Sequence, residues 1–280
     1  MEEIEMNKWA QSIYDHLERY KIHKWNDDKK VKFRDKLYGH ILPENLKEEN
    51  YMSSIVKEEA KNIKKHMYWH HLNSSQTMCL NFFVPLIKNN LLSIFFKKVL
   101  NLNVDIIDNK FEYTPEAGGT NFDFYVKDSK DKNYYFEIKY TEADINKKTS
   151  VEDPFHRHEV FMGLYNPKIK KNKLFVSAHI DEDTFMLEHY QAYRNMVEAI
   201  NGDYSIFITM SGNPGTEKEF KSATEKLGLI TKEDQKKNFI LLLHWEDVVA
   251  KTQYMIDELG NKELADYYEE FFKKYIDLGD

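Results

Sequence analysis

The chain has 280 residues, 31% of them charged, a formal charge of −7 and one cysteine, Cys79. That balance argues against holding nucleic acid through a positive field spread over the whole surface, but a local basic cleft or a metal-filled carboxylate site stays compatible with phosphate. Abundant aromatics with few Gly and Pro argue against extensive disorder, and a lone cysteine excludes an internal disulfide.

Trp9, Ile13, Leu17 and Tyr20 recur at helical spacing, and a second stripe follows at Ile55, Ile63 and Met67, with Pro43 between them. A third helix is expected from Ser74 or Ser75, a good N-cap residue, with Leu80, Phe83, Leu86 and Ile87 behind it and a kink at Pro85. Residues 91–100 also read as helix. The apolar runs 82–86 and 91–96 are too short to span a bilayer, and the acidic start of the chain lacks a signal-peptide pattern. A cytoplasmic protein with no membrane anchor is the expectation.

The period changes at 104–113, which is rich in β-branched and aromatic residues. Residues 122–126 and 134–140 form the clearest strand pair, joined by the polar stretch 128–133. An irregular segment passes Pro154 and Pro167 and includes Lys168, Lys170, Lys171 and Lys173, read as a solvated loop. A short strand is expected at 174–178. A helix follows, capped by Asp181 or Asp183, with Met186, Tyr190, Tyr193, Val197 and Ile200 as its stripe. Buried strands are expected at 204–210 and 239–244. Between them, Ser211-Gly-Asn-Pro-Gly215 lacks the Lys-Ser/Thr of a nucleotide-binding loop and reads as a turn. Helices at 247–259 and 262–275 end the chain. The order implies an α/β fold: an N-terminal helical region (1–72), then a mixed β-sheet core with C-terminal helices (73–280), whether as two domains or one continuous one.

The strand pair carries the chemistry. If its turn centres near Lys130, Asp123 faces Glu137. Side-chain alternation then puts Phe122, Phe124, Val126, Phe136 and Ile138 on one face and Asp123, Glu137 and Lys139 on the other. Two opposed carboxylates repel unless a cation sits between them or one takes a proton. Asp123, Glu137 and a backbone carbonyl, that of Ile138, suit a hard cation such as Mg²⁺, with Mn²⁺ as a substitute. Lys139 would orient the attacking water and stabilise the transition state, or act as a base if desolvation lowers its pKa. Glu116, in the pair Pro115-Glu116, is an alternative or additional ligand.

Asp123 followed by Glu137-Ile138-Lys139 resembles the PD-(D/E)xK nuclease superfamily. The stretches Asn73-Ser-Ser-Gln76 through Asn81-Phe-Phe83, Gly118-Gly-Thr-Asn-Phe-Asp-Phe-Tyr125 and Phe136-Glu-Ile-Lys-Tyr-Thr-Glu142 resemble a group of bacterial restriction endonucleases within it. The resemblance implies a restriction-endonuclease-like fold, metal binding by Asp123 and Glu137, and a catalytic Lys139. It departs in having Phe122, not Pro, before Asp123. Related nucleases often carry a Gln on the helix after the sheet with Tyr four residues on; here the match is Gln191, followed by Asn195. Gln76 matches a family feature without an evident role.

The expectation is therefore a metal-dependent endonuclease cutting DNA, type II-like and restricting, with Arg157 and Arg194 contacting DNA and a homodimer favoured by double-strand cutting. A repair or mobile-element nuclease, and a non-catalytic DNA-binding protein of nuclease fold, are the alternatives; a two-carboxylate glycosidase would leave Lys139 without a role. His70 and His71, like His156 and His158, lack the convergent partners zinc needs and read as structural. Tyr134, Tyr135 and Tyr140 are read as packing residues before base-stacking ones.

Overall fold

The computed structural model describes residues 2–115, 120–142, 161–178, 189–199 and 202–278. In chain order, α1 (Glu2–Trp25) leads to a small hairpin of β1 (Val31–Phe33) and β2 (Lys36–Tyr38), a 3-10 helix (Glu44–Asn50), α2 (Ser54–Ala60), α3 (Ser75–Lys88) and α4 (Leu92–Lys98). Strands β3 (Ile106–Tyr113), β4 (Phe122–Asp128) and β5 (Asn133–Ile138) follow. Short helices α5 (Asn166–Ile169), α6 (Lys173–Ser177) and α7 (Tyr190–Met196) precede β6 (Tyr204–Thr209), α8 (Pro214–Lys226), α9 (Lys232–Lys237) and β7 (Ile240–His244). The chain ends in α10 (Trp245–Glu258) and α11 (Lys262–Tyr275). No single helix among the described residues is long and apolar enough to cross a membrane.

Two compact units result. One comprises Met1–Asp105, Met210–Gly212 and His244–Asp280; the other comprises Ile106–Thr209 and Asn213–Leu243. In the first, the fully buried ring of Phe82 meets Trp245, Tyr268 and Phe271 edge-on at 5.1 to 5.5 Å. Burying a side chain of this size contributes roughly 1.5–3 kcal/mol. Ser74 caps α3 by accepting from the Thr77 N–H, and Pro85 lies inside that helix. Proline lacks the N–H that would bond the carbonyl four residues back. That carbonyl, of Asn81, accepts from the Tyr267 hydroxyl at 2.8 Å instead. The Asn81 side chain is buried too: it donates to Asn50 O and the Tyr275 hydroxyl and accepts from Met52 N. Gln76 accepts from His66 N and donates to Lys64 O, clasping a loop.

The second unit is built on the five-stranded sheet β3-β4-β5-β6-β7. Strands β3, β4 and β5 pair antiparallel, and β5 pairs β6 in parallel, which makes the sheet mixed. A parallel neighbour needs a long crossover, supplied by the chain between β5 and β6 with α5, α6 and α7. Phe207 and Ile240 of the sheet bury with Tyr190, Tyr193 and Met196 of α7 and Phe220 and Ala223 of α8.

Several expectations are corrected. Residues 174–178 are helical, because Asn172 caps α6 through the Leu174 N–H; a short apolar run does not reveal its period. The turn at 211–215 opens α8, with Asn213 as cap and Pro214 in the first turn, the position proline favours. The stripe Ile55, Ile63, Met67 is not one helix face: α2 ends at Ala60, and Met67 is 78% exposed. The lysine run is not simply a solvated loop, since Lys168 is ion-paired to buried Glu198. The expected caps Asp181 and Asp183 lie outside the described residues.

Candidate active site

The β4–β5 ladder pairs Phe124↔Phe136, Tyr125↔Tyr135, Val126↔Tyr134 and Lys127↔Asn133. The ladder ends at Phe124↔Phe136, and beyond it Asp123 lies close enough to Glu137 to feel its charge. Asp128 holds the turn by accepting from the backbone N–H groups of Lys130 and Lys132. Phe124 packs on Phe111 and Phe136, as expected for one face. Phe122 does not join them. Its ring stacks on Tyr135 at 4.6 Å, and its partner Tyr113 stacks on Tyr125 at 4.1 Å. Opposite Asp123 on β3, Glu112 has a left-handed φ of +50°, which interrupts the regular strand backbone there. Such a conformation costs a non-glycine residue roughly 1–2 kcal/mol.

At the end of the hairpin, Asp123 Oδ2 accepts from the Ile138 N–H at 2.7 Å. Glu137 and Lys139 are buried and form an ion pair, Nζ to Oε1 at 2.7 Å. Asp123 remains half-buried, so the site opens on its side. Burial raises the Asp123 carboxyl well above its usual range and the charges of Glu137 and Glu112 add to this; Lys139 and the Ile138 N–H pull the other way. Burial alone would lower Lys139, but Glu137, Glu142 and Asp123 outweigh it and hold the ammonium up at about 12. In the metal-free protein Lys139 is thus held as a cation across neutral pH. Glu142 is a contributor that reading the sequence missed; its carboxylate accepts from Tyr140 N, and its carbonyl accepts from the Asn213 side chain.

These donors fit a hard cation. The Asp123 carboxyl is disfavoured as an anion chiefly by burial and the facing Glu137 charge, and a cation relieves both. Each carboxylate has about four lone-pair sites, so one N–H bond or one ammonium leaves capacity. Among the described residues no group of three or more His, Cys, Asp or Glu could hold a metal. Mg²⁺ is commonly bound through one or two carboxylates with the rest water.

The other candidates are placed less directly. Glu116 and Arg157 lie outside the described residues, as do His156 and His158. Gln191 and Arg194 sit on α7, both half-buried, with the Arg194 guanidinium over the Tyr190 ring at 5.7 Å. That helix is tied to the start of β4 by the buried Thr120, whose hydroxyl donates to Arg194 O at 3.1 Å. His71 is buried among Phe33, His40 and Tyr68, and burial lowers its pKa to about 4, so it packs as a neutral ring. Tyr134, Tyr135 and Tyr140 are buried and belong to the core. His189 bonds Glu219 and, at 3.4 Å, Ser222. Ser222 lies in mid-α8, where backbone N–H groups are engaged in the helix and none is left for an oxyanion.

Compared with known proteins, residues 8–276 match the family model described as Restriction Endonuclease associating with ARP. The chain belongs to that restriction endonuclease family. The mixed sheet preceded and followed by helices is the restriction-endonuclease-like α/β architecture expected of it, and membership makes this a nuclease family with DNA as substrate. No curated protein and no solved structure matches the chain.

Proposed function

We propose that this chain is a Mg²⁺-dependent, type II-like endonuclease of the PD-(D/E)xK kind, cutting DNA phosphodiesters at the β4–β5 hairpin. The observation that carries the reading is Asp123 bonded to the Ile138 N–H at 2.7 Å beside Glu137, with Lys139 paired to Glu137 at 2.7 Å. Asp123, Glu137 and the Ile138 carbonyl would hold Mg²⁺ or Mn²⁺, with Glu116 as a further ligand. Bound there, the ion supplies Lewis acidity toward a phosphoryl oxygen and charge to offset the developing negative charge. Lys139, charged at neutral pH, orients the attacking water and faces the developing charge. Gln191 would position substrate from α7.

DNA would be held locally, by Arg194 and Arg157 and by a lysine-lined cavity. That cavity, about 420 Å³, is bounded by Lys132, Lys171, Lys173, Asn172 and Phe239. Lys171 and Lys173 carry no ion pair among the described residues, which suits them to phosphate. A larger cavity, about 570 Å³, is lined by Asp257, Asp266 and Glu269 and is too acidic for that role. A cytoplasmic homodimer, one site per strand, completes the proposal.

The test is cleavage of plasmid, linear and single-stranded DNA by purified protein, with Mg²⁺ or with EDTA, beside Asp123→Ala and Lys139→Ala. Discrete fragments that need Mg²⁺ and vanish in both variants are expected. Cleavage surviving in both variants would sink the site, and end-dependent digestion would point to repair or degradation.

A further inference from the structure

Thr209, the last residue of β6, is fully buried, and its Oγ1 has no hydrogen-bond partner among the described residues. A hydroxyl left in that state is destabilising. Buried Thr224 and Thr252 in the same chain avoid this by donating to helix carbonyls four residues back. Thr209 shares the lack of a partner with Thr216 but differs from it in lying beside the candidate site. The β5–β6 register pairs Glu137↔Phe207 and Ile138↔Ile208, and the Lys139 N–H donates to Ile208 O at 2.8 Å. The next step of that register sets Thr209 beside Lys139, on a strand about 4.8 Å away. Registered neighbours in a sheet share a face, so the idle hydroxyl lies on the face of Glu137 and Lys139.

In this structure the Lys139 ammonium is paired with Glu137. When Glu137 commits its carboxylate to a cation, Lys139 loses much of that acceptor, and a further acceptor on its own face of the sheet would help to keep it aimed. We propose that Thr209 is a positioning residue, whose Oγ1 accepts from Lys139 Nζ once Glu137 is engaged by metal and so holds the ammonium toward the reacting phosphate. The inference rests on the nuclease reading above. It makes the orphan hydroxyl of the metal-free protein a functional feature: an acceptor without a donor until the site is loaded.

Thr209→Val keeps the shape and removes the hydroxyl; Thr209→Ser keeps the hydroxyl. In the metal-free protein Thr209→Val should leave the thermal midpoint unchanged or raise it, because it removes an unsatisfied group. With Mg²⁺ and DNA it should lower kcat roughly tenfold at unchanged KM, and Thr209→Ser should restore most of the rate. Independently of cleavage, Mg²⁺ without DNA should shift the ¹⁵N-ammonium signal of Lys139 in the natural protein and in Thr209→Ser, and shift it differently in Thr209→Val. A Thr209→Val protein that cleaves at the natural rate, or that is destabilised without metal, overturns the proposal. If the natural protein does not cleave at all, the nuclease reading fails; the Lys139 signal then decides the Thr209 contact alone, and identical shifts in natural and Thr209→Val protein overturn it.

Discussion

The Asp123 carboxylate accepts the Ile138 N–H at 2.7 Å, just past the last paired residues of the β4–β5 ladder, Phe124 and Phe136. A side chain thus takes a backbone donor where the two strands part. Asp123 therefore closes the hairpin, and in the proposed site it would separately supply charge to the metal. Asn performs the first and not the second. Asp123→Asn should abolish Mg²⁺-dependent cleavage yet equal or exceed the natural protein in metal-free thermal stability, while Asp123→Ala, which leaves the N–H unpaired, should lose roughly 1–3 kcal/mol. Calorimetry beside plasmid cleavage separates them.

The same residue sets a pH dependence. Its folded-state pKa is raised above the ordinary 3.8, by burial first and by Glu137 next. The folded metal-free protein then binds more protons than the unfolded chain, so stability falls as pH rises from the ordinary value through the raised one. In the proposed site Mg²⁺ would compete with that proton, so stabilisation by Mg²⁺ should grow with pH across the same window. Asp123→Asn should flatten both trends in thermal melts. A melting profile of the natural protein that does not differ from the variant's would contradict this origin.

Alternation and a polar turn were enough to pair β4 with β5 in the observed register, because register is local and a hairpin has few ways to close. What failed depended on a third strand or on caps. Phe122 packs on Tyr135 rather than with Phe124, next to the left-handed Glu112 of β3, and no pattern within the hairpin reveals either feature. Helices α8 and α9 were missed although Asn213-Pro214 and the Thr231 and Asp234 capping box announce them; polar helices carry a weak apolar stripe. The idle hydroxyl of Thr209 was out of reach, because a missing partner has no sequence signature.

Lys139 and Glu137 form a pair whose side chains are 9% and 6% exposed. Removing one member of a buried pair strands the other, at a cost of roughly 3–5 kcal/mol. Lys139→Met should therefore destabilise strongly as well as inactivate, and Glu137→Gln in the same chain should recover much of the stability but none of the cleavage. Because Lys139 is raised from 10.5 to about 12, its contribution is complete below the ordinary value and is lost as pH rises through about 12. Urea unfolding of single and double variants measures the coupling; additive losses would show that the two do not interact.

In the α3 segment that resembles other restriction endonucleases, the buried Asn81 makes three side-chain hydrogen bonds, to Asn50, Tyr275 and Met52. Asn81→Leu leaves those partners unsatisfied in the interior. The expected loss is on the order of 3 kcal/mol, with cleavage by the fraction that stays folded unchanged. A variant of full stability with lost cleavage would instead move this segment into the catalytic centre.

Lys171 and Lys173 border the cavity of about 420 Å³ and have no ion pair among the described residues. If they meet phosphates, each releases counterions on binding, and the slope of log affinity against log salt carries about 0.9 per contact. Lys171→Gln and Lys173→Gln should each weaken binding equally on cognate and unrelated duplexes and reduce that slope by about 0.9. Discrimination between sequences should persist, since phosphate contacts position the duplex without reading bases. Fluorescence anisotropy across a salt series reads both quantities. An unchanged slope with intact affinity would take the DNA path away from this cavity and leave the chain's net charge of −7 to be overcome by Arg194 and metal alone.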